Sequence, residues 1–172
     1  MTPAQVQDIA VKGHEIADHT VTHPHLPQLS QSQIVAEITS SRTYLQNLTG
    51  KSITTFAYPY GELNSTIKTL VQQAGYSTAR GTDEDTLNTA TTDNLDLKSS
   101  CVLKSTPFSQ IKAAIDAAKA NKQWYILCIH EVRTLNNDYS MTVAQFQQIV
   151  DYIKSSGIKT VTVQQGRALM AN

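Results

Sequence analysis

Helix signals and short extended apolar signals alternate along the whole of this 172-residue chain, and that alternation limits the fold more than any other feature. Apolar residues recur at helical spacing in stretches that open near Pro3, Ser30, Ser65, Thr106 and Thr142. Between them, residues 53–58, 76–79, 95–103, 124–129 and 159–163 read as strands, and residues 14–18 as a short extended piece. Strands that alternate with helices pair in parallel and are joined by right-handed crossovers. A closed barrel and an open doubly wound sheet both satisfy this. No G-x-G-x-x-G and no phosphate loop is present, so a nucleotide-binding sheet lacks its usual mark.

Local chemistry sets the helix limits. Thr2 with Gln5, Ser30 with Gln33 and Thr142 with Gln145 have capping-box spacing, and Pro3 and Pro107 suit helix starts. Gly13, Gly50, Gly75 and Gly157 are the stops. The first helix, residues 3–12, turns Val6, Ile9 and Ala10 to one side. The second is expected to bury Ile34, Val35, Ile38, Leu45 and Leu48. The third, residues 65–74, carries Ile67, Leu70 and Val71, and the fourth Phe108, Ile111, Ile115 and Ala118. The fifth carries Val143, Phe146, Ile149, Val150 and Ile153, and a short helix covers residues 165–170. Residues 81–93 read as a loop. The apolar run 124–129 is the strongest strand signal, of the kind buried on both faces.

The length suits one domain, residues 1–172. Formal net charge is zero, with 14 acidic and 14 basic side chains, so nothing points to nucleic acid. No apolar run approaches the roughly 20 residues of a membrane span. Charged residues are only 16%, and neutral polar residues are abundant, a balance common in secreted proteins. The chain opens directly on a helix, which reads as a portion of a longer domain. Cys101 and Cys128 lack a metal-type spacing. Cys128 sits in an apolar run and reads as a buried thiol, and pairing with Cys101 is left open.

Three of the five histidines, His19, His23 and His25, fall within seven residues. On a helical turn His19 and His23 would project toward one point, an arrangement that suits a divalent ion held through ring nitrogens. Proline on each side of His25 rules out a long helix there. Such a pair elsewhere is commonly just a polar surface feature. Here it follows an extended piece, where sites are usually built.

Functional groups in parallel α/β folds collect at the C-terminal ends of strands. His19 and His23 follow the first extended piece, Pro59 and Tyr60 the next strand, Arg80 the third, and His130 with Glu131 the strongest. Each has an ordinary alternative: a turn tyrosine, a surface cation near Asp83, Glu84 and Asp85, a hydrogen-bonded histidine, a solvated carboxylate. Four such ends in one chain favour a site.

The stretch Gly13-His14-Glu15-Ile16-Ala17-Asp18-His19-Thr20-Val21-Thr22-His23 is similar to the H-[S/T]-x-x-H metal motif of the NodB-like polysaccharide deacetylases, carbohydrate esterase family four. Phe56-Ala57-Tyr58-Pro59-Tyr60-Gly61 resembles that family's R-x-P-Y motif, and Leu127-Cys128-Ile129-His130 its late histidine motif. The likeness extends from Trp124 through Tyr139 and Phe146 to Thr160-Val161-Thr162-Val163. It implies an α/β fold, a distorted (β/α) barrel incomplete at its N-terminus. It also implies a metal-dependent hydrolase that removes N-acetyl, or O-acetyl, groups from a polysaccharide of amino sugars, outside the cell or in its envelope. His19 and His23 would be ligands of a divalent metal, Zn2+ for preference. His130 would be the general acid. Tyr60, beside Pro59, would hold the oxyanion through its backbone N–H, and Arg80 would lie at the substrate.

The departures carry as much weight. The family's T-F-D-D-G motif supplies an aspartate ligand and an aspartate base, and no Asp-Asp pair occurs in this sequence. Ala57 stands where many members have arginine, and Arg80 is the neighbouring cation that can replace its charge. No D-x-x-D-W motif is recognisable in residues 95–103, and Leu127 is the family's candidate for the acetyl-methyl pocket. Asp18, next to His19, is awkwardly placed for a third ligand, and His25 and Glu15 are the candidates in this chain to substitute. The expectation is therefore a deacetylase domain lacking its first strands, with about six strands, an exposed sheet edge, weak metal binding and no turnover of its own. The alternative is a non-catalytic carbohydrate-binding or interaction module on the same fold. An unrelated α/β hydrolase lacks its G-x-S-x-G elbow.

Overall fold

Three parallel two-stranded ladders, each strand only two or three residues long, form the sheet structure of the described residues in the computed structural model. The structure describes residues 1–83, 86–133 and 137–170. It divides into two units.

The first unit comprises Met1–Gly81, Thr92–Leu97 and Thr162–Ala168. It begins with α1 (Pro3–Val11), capped reciprocally by Thr2 and Gln5 as their spacing predicts. Residues 14–18 contribute a single parallel bridge, Asp18 to Phe56, rather than a strand. Next is α2 (Gln31–Thr49), closed by a left-handed Gly50 and opened by the Ser30–Gln33 box. Its inward row is Ile34, Ile38, Ser41 and the half-buried Leu45, spaced four, three and four apart. Val35 lies on the flank of that row and is exposed. The residue that replaces it inward is polar.

Beyond α2, β1 (Thr55–Ala57) pairs in parallel with β2 (Thr78–Arg80), with Ala57 opposite Arg80. Between them α3 (Ser65–Gln73) is capped by the Asn64 side chain. Phe56, Tyr58, Tyr76, Ile38, Ile53 and Val71 pack with Leu26 and Leu95 into one core, each large apolar side chain contributing about 1.5–3 kcal/mol by leaving water. Arg42 ties this core to its periphery. Its guanidinium donates to the carbonyls of Ile53 at 2.8 Å, Ala74 at 2.8 Å and Gly75 at 3.2 Å. Gly75 has φ +93°, and a Cβ there would meet the Arg42 guanidinium at 2.8 Å, so the position needs glycine for both conformation and space.

Residues 159–163 do not form a strand. Thr162 and Gln165 instead exchange backbone and side-chain hydrogen bonds, and the helix they open, α6, runs over Val163–Met170. A threonine whose hydroxyl satisfies a helix N-terminus competes directly with strand pairing.

The second unit comprises Thr82–Thr91, Lys98–Val161 and Leu169–Asn172. Here β3 (Ser100–Cys101) pairs with β4 (Leu127–Cys128), Cys101 opposite Cys128. The long strand read over 95–103 thus shrinks to two residues of β3, plus an Arg80–Leu97 bridge in the first unit. The run 124–129 is likewise shorter than its apolar pattern implies, and only Ile126 and Cys128 within it are buried. Its start is held by an antiparallel bridge from Trp124 to Asn88, inside the stretch read as a loop. Glu84 and Asp85 of that stretch lie outside the described residues.

Two helices, α4 (Phe108–Asn121) and α5 (Val143–Ser156), pack Ile111, Ile115 and Ile149 with Val102 and Met141. Pro107 takes the cap position of α4 rather than its first turn. Val143 and Val150 of the expected stripe are exposed, and Ile149 carries the burial. A further parallel pair, β5 (Glu131–Val132) with β6 (Ser140–Met141), has no counterpart in the sequence reading.

Candidate functional site

The His19–His25 stretch is a loop, and its histidines converge through the backbone rather than along a helical turn. The loop is anchored where Asp18 joins β1: the Asp18 N–H donates to Thr55 O at 3.0 Å, and the Ala57 N–H to Asp18 O at 2.8 Å. The Asp18 side chain is fully buried. Its carboxylate accepts from the Thr20 N–H at 3.0 Å, from Ser41 Oγ at 2.6 Å and from the Tyr76 hydroxyl. Burial, together with the Asp18 charge, pushes the Tyr76 phenol well above its ordinary range, so it remains a donor. Asp18 is thus a buried anchor with both carboxylate oxygens hydrogen-bonded inside the unit, turned away from the loop's imidazoles.

His19, the next residue, points the other way. Its Nδ1 lies 2.7 Å from the carbonyl oxygen of Ala57. A carbonyl only accepts, so the hydrogen sits on Nδ1 and the Nε2 lone pair is available, the arrangement found behind metal-ligating histidines. Partial desolvation of the ring lowers the His19 pKa. The Ala57 carbonyl works against that, and the nearby His23 and Arg80 add to it. The result favours the neutral, ligating form.

Thr20 and His23 both have left-handed backbones, φ 67° and 57°. These two turns fold the chain back so that the His19 and His23 rings meet edge to face, centroids 4.7 Å apart. The Thr20 hydroxyl accepts from the His23 N–H at 3.1 Å. Glu37 on α2 holds the outer side of the loop, accepting from the N–H groups of Val21 and Thr22, each at 2.9 Å, and from Thr22 Oγ1 at 2.8 Å.

Pro59, Tyr60 and Gly61 form a tight turn after β1, closed by the Gly61 N–H to Tyr58 O at 3.0 Å and the Glu62 N–H to Pro59 O at 3.1 Å, with Tyr60 also left-handed at φ 57°. Pro59 is buried and Tyr60 is exposed. The Tyr60 ring stacks on His25 at 3.9 Å, 7° from parallel, and lies edge-on to His23 at 4.5 Å. His25 Nδ1 is hydrogen-bonded to the Glu62 carboxylate at 3.0 Å. Arg80, half-buried at the end of β2, faces Ala57 across the ladder and accepts the Tyr58 N–H at its carbonyl. Three of the four non-glycine residues with positive φ among those described, Thr20, His23 and Tyr60, therefore belong to this one site. Strained backbone held by its surroundings is typical of functional loops.

The sequence-predicted residues His19, His23, Pro59, Tyr60 and Arg80 all stand in the first unit, around the end of β1. His130 stands in the second, exposed, two residues past Cys128, with its ring edge against Tyr139 at 5.0 Å. Of the candidate third ligands, Asp18 is in use inside. Glu15 accepts from the Thr55 hydroxyl and from the Gln164 N–H, and His25 is held by Glu62 and Tyr60. Two imidazoles fit a divalent ion here. Among the described residues no carboxylate or thiol joins them within ligand reach. The supporting residues Ser41, Tyr76 and Glu37 went unread in the sequence. Ser41 left one trace there, a polar residue in the apolar row of α2.

Residues 1–79 match the family model for polysaccharide deacetylase. Over 73 residues the chain is 32% identical to chitin deacetylase 1 of Cryptococcus neoformans var. grubii, covering 42% of this chain and 16% of that protein. Over 74 residues it is 38% identical to chitin deacetylase 1 of Saccharomyces cerevisiae, covering 42% and 24%. The chain thus spans less than a quarter of either relative. Its fold is shared with a family 4 acetyl xylan esterase from Clostridium thermocellum, solved with a cobalt ion, at a TM-score of 0.65 and 22% identity over 98% of this chain and 71% of that one. The family match ends before Trp124, so the likeness read over residues 124–163 lies outside it. Residues 1–79 are thus similar in sequence to the polysaccharide deacetylases, and the chain's fold is similar to that of a family 4 carbohydrate esterase.

Proposed function

We propose that the chain is part of a metal-dependent hydrolase that removes acetyl groups from a polysaccharide of amino sugars, with His19 and His23 as two of the ligands of a divalent ion. The observation that carries this is the His19–Ala57 hydrogen bond, which presents a neutral ring nitrogen beside His23 inside the segment matched to the family. Imidazole donors suit zinc. Zinc, when bound, polarises the acetyl carbonyl and activates a water.

The chain's own residues do the rest. Asp18, Ser41 and Tyr76 hold the loop from inside and Glu37 from outside, which fixes the two imidazoles. The Tyr60 N–H is assigned to the substrate oxyanion, and the Arg80 cation to the same strand ends. The general-acid role of His130, protonating the leaving amine, rests on its sequence motif. The expected NodB-like α/β fold draws on the likeness to the family 4 esterase, which covers 98% of this chain and 71% of that one. Relatives that act on chitin support an extracellular or envelope location. Catalytic zinc sites have three protein ligands and a water. With two, the His19–His23 pair by itself holds zinc loosely, and residues 1–172 alone do not turn over.

Zinc titration followed by histidine NMR tests the ligand assignment. The ring signals of His19 and His23 shift together, and those of His14 and His25 do not. Unmoved His19 and His23 signals overturn it, and acetate released from a chitin oligomer by this chain overturns the inactivity. A non-catalytic glycan-binding reading draws on the exposed Tyr60 ring stacked on His25, an aromatic surface of the kind sugars pack against. Chitin-oligomer binding unchanged by a chelator is the result that favours it.

A further inference from the structure

The two cysteines, far apart in sequence, are brought together with His130 by the β3–β4 ladder. Cys101 and Cys128 stand directly opposite in the parallel register. His130 follows Cys128 by two residues, the spacing that keeps two side chains on one face of an extended chain. One ligand atom from each of the three, the two sulfurs and a ring nitrogen of His130, lie within 4.8 Å of one another. No disulfide joins the thiols.

We propose that Cys101, Cys128 and His130 form a second metal site, of the Cys2His type, for a thiophilic divalent ion such as zinc, cobalt or cadmium. Two thiolates and an imidazole are a known open zinc ligand set, and sulfur donors select softer ions over magnesium or calcium. A tetrahedral ion with metal–sulfur bonds of about 2.3 Å keeps its ligand atoms roughly 3.8 Å apart, so closing the site asks for about 1 Å of side-chain adjustment. Binding releases the two thiol protons to solvent and leaves a fourth position for water, because His130 is at the exposed end of the set. The site is separate in chemistry and in residues from the His19–His23 pair. If His130 is also the general acid, a claim that rests on the proposed function, an ion here ties up its imidazole.

The test is a cobalt and cadmium titration of the reduced 172-residue chain, read by sulfur-to-metal charge-transfer absorption. The expected result is a thiolate band that saturates at one ion per chain, persists in the His19→Ala/His23→Ala variant, and is lost in Cys101→Ser. In His130→Ala the band remains but affinity falls by roughly tenfold or more. Cys101 is only half-buried, so Cys101→Ser is expected to fold, and far-ultraviolet circular dichroism checks it. Absence of any thiolate band in the reduced chain, or a band and affinity unchanged in both Cys101→Ser and His130→Ala, overturns the proposal. So does a band that disappears in His19→Ala/His23→Ala. None of these readouts depends on deacetylation, so failure of this site and failure of the proposed activity are told apart.

Discussion

The Nδ1 of His19 lies 2.7 Å from the carbonyl oxygen of Ala57, and this contact places the hydrogen on Nδ1 and leaves the lone pair on Nε2. It exists because Asp18, one residue earlier, is pinned by its backbone to β1 and by its carboxylate to Ser41, Tyr76 and Thr20. Replacing Tyr76 by Phe removes a donor from a buried carboxylate and from the Ile38 carbonyl, which accepts from the same hydroxyl at 3.0 Å. The expected cost is about 1–3 kcal/mol in urea unfolding, together with weaker zinc binding at the histidine pair. A Tyr76→Phe protein as stable as wild type contradicts the anchoring role of Asp18.

Glu37 is expected to control the order of the histidine loop. Partial desolvation raises its pKa, but the bonds from Thr22 and Val21 outweigh that and hold it below its ordinary value. A carboxylate with a depressed folded pKa contributes above its unfolded pKa, and that contribution is lost as pH falls through the folded value. Protection factors of the Val21 and Thr22 amides are therefore expected to be flat at neutral pH and to drop below the ordinary glutamate range. In Glu37→Ala they are low at every pH. Hydrogen exchange by NMR reads both outcomes.

Tyr60 separates backbone from ring. Its left-handed conformation costs a non-glycine residue energy, while its ring gains contacts with His23 and His25. Tyr60→Gly is expected to be about 1 kcal/mol more stable than Tyr60→Ala, since both lose the ring and only glycine is at ease at positive φ. Thermal melts of the two variants check it. Equal stability would mean that the turn relaxes when the ring is gone.

What the sequence made legible was local. The Thr2–Gln5, Ser30–Gln33 and Thr142–Gln145 boxes form as read, because each needs only residues three apart. Strand limits were not legible, because a strand ends where its partner ends: the apolar run 124–129 yields two paired residues, set by β3. The Thr162–Gln165 pair has the same capping-box spacing as the three that were read, yet its segment was taken for a strand from its alternation. At the candidate site, the family motifs pointed to His19, His23 and Tyr60, and the strand-end position to Arg80. Neither supplied Asp18 as an anchor or Ser41, Tyr76 and Glu37 as its supports, since these meet only after α2 and β2 are in place. The cysteine pair was unreadable for a related reason. Register, not spacing, puts Cys101 beside Cys128.

His19 and His23 are proposed to hold one divalent ion, with no carboxylate beside them among the described residues. Calorimetric titration of zinc into the Cys101→Ser/Cys128→Ser chain, which leaves the imidazole pair to be read alone, tests it most directly. The expected result is one weak site, micromolar or looser, that disappears in His19→Ala. Sub-micromolar zinc affinity, or binding that survives the loss of His19, would contradict it.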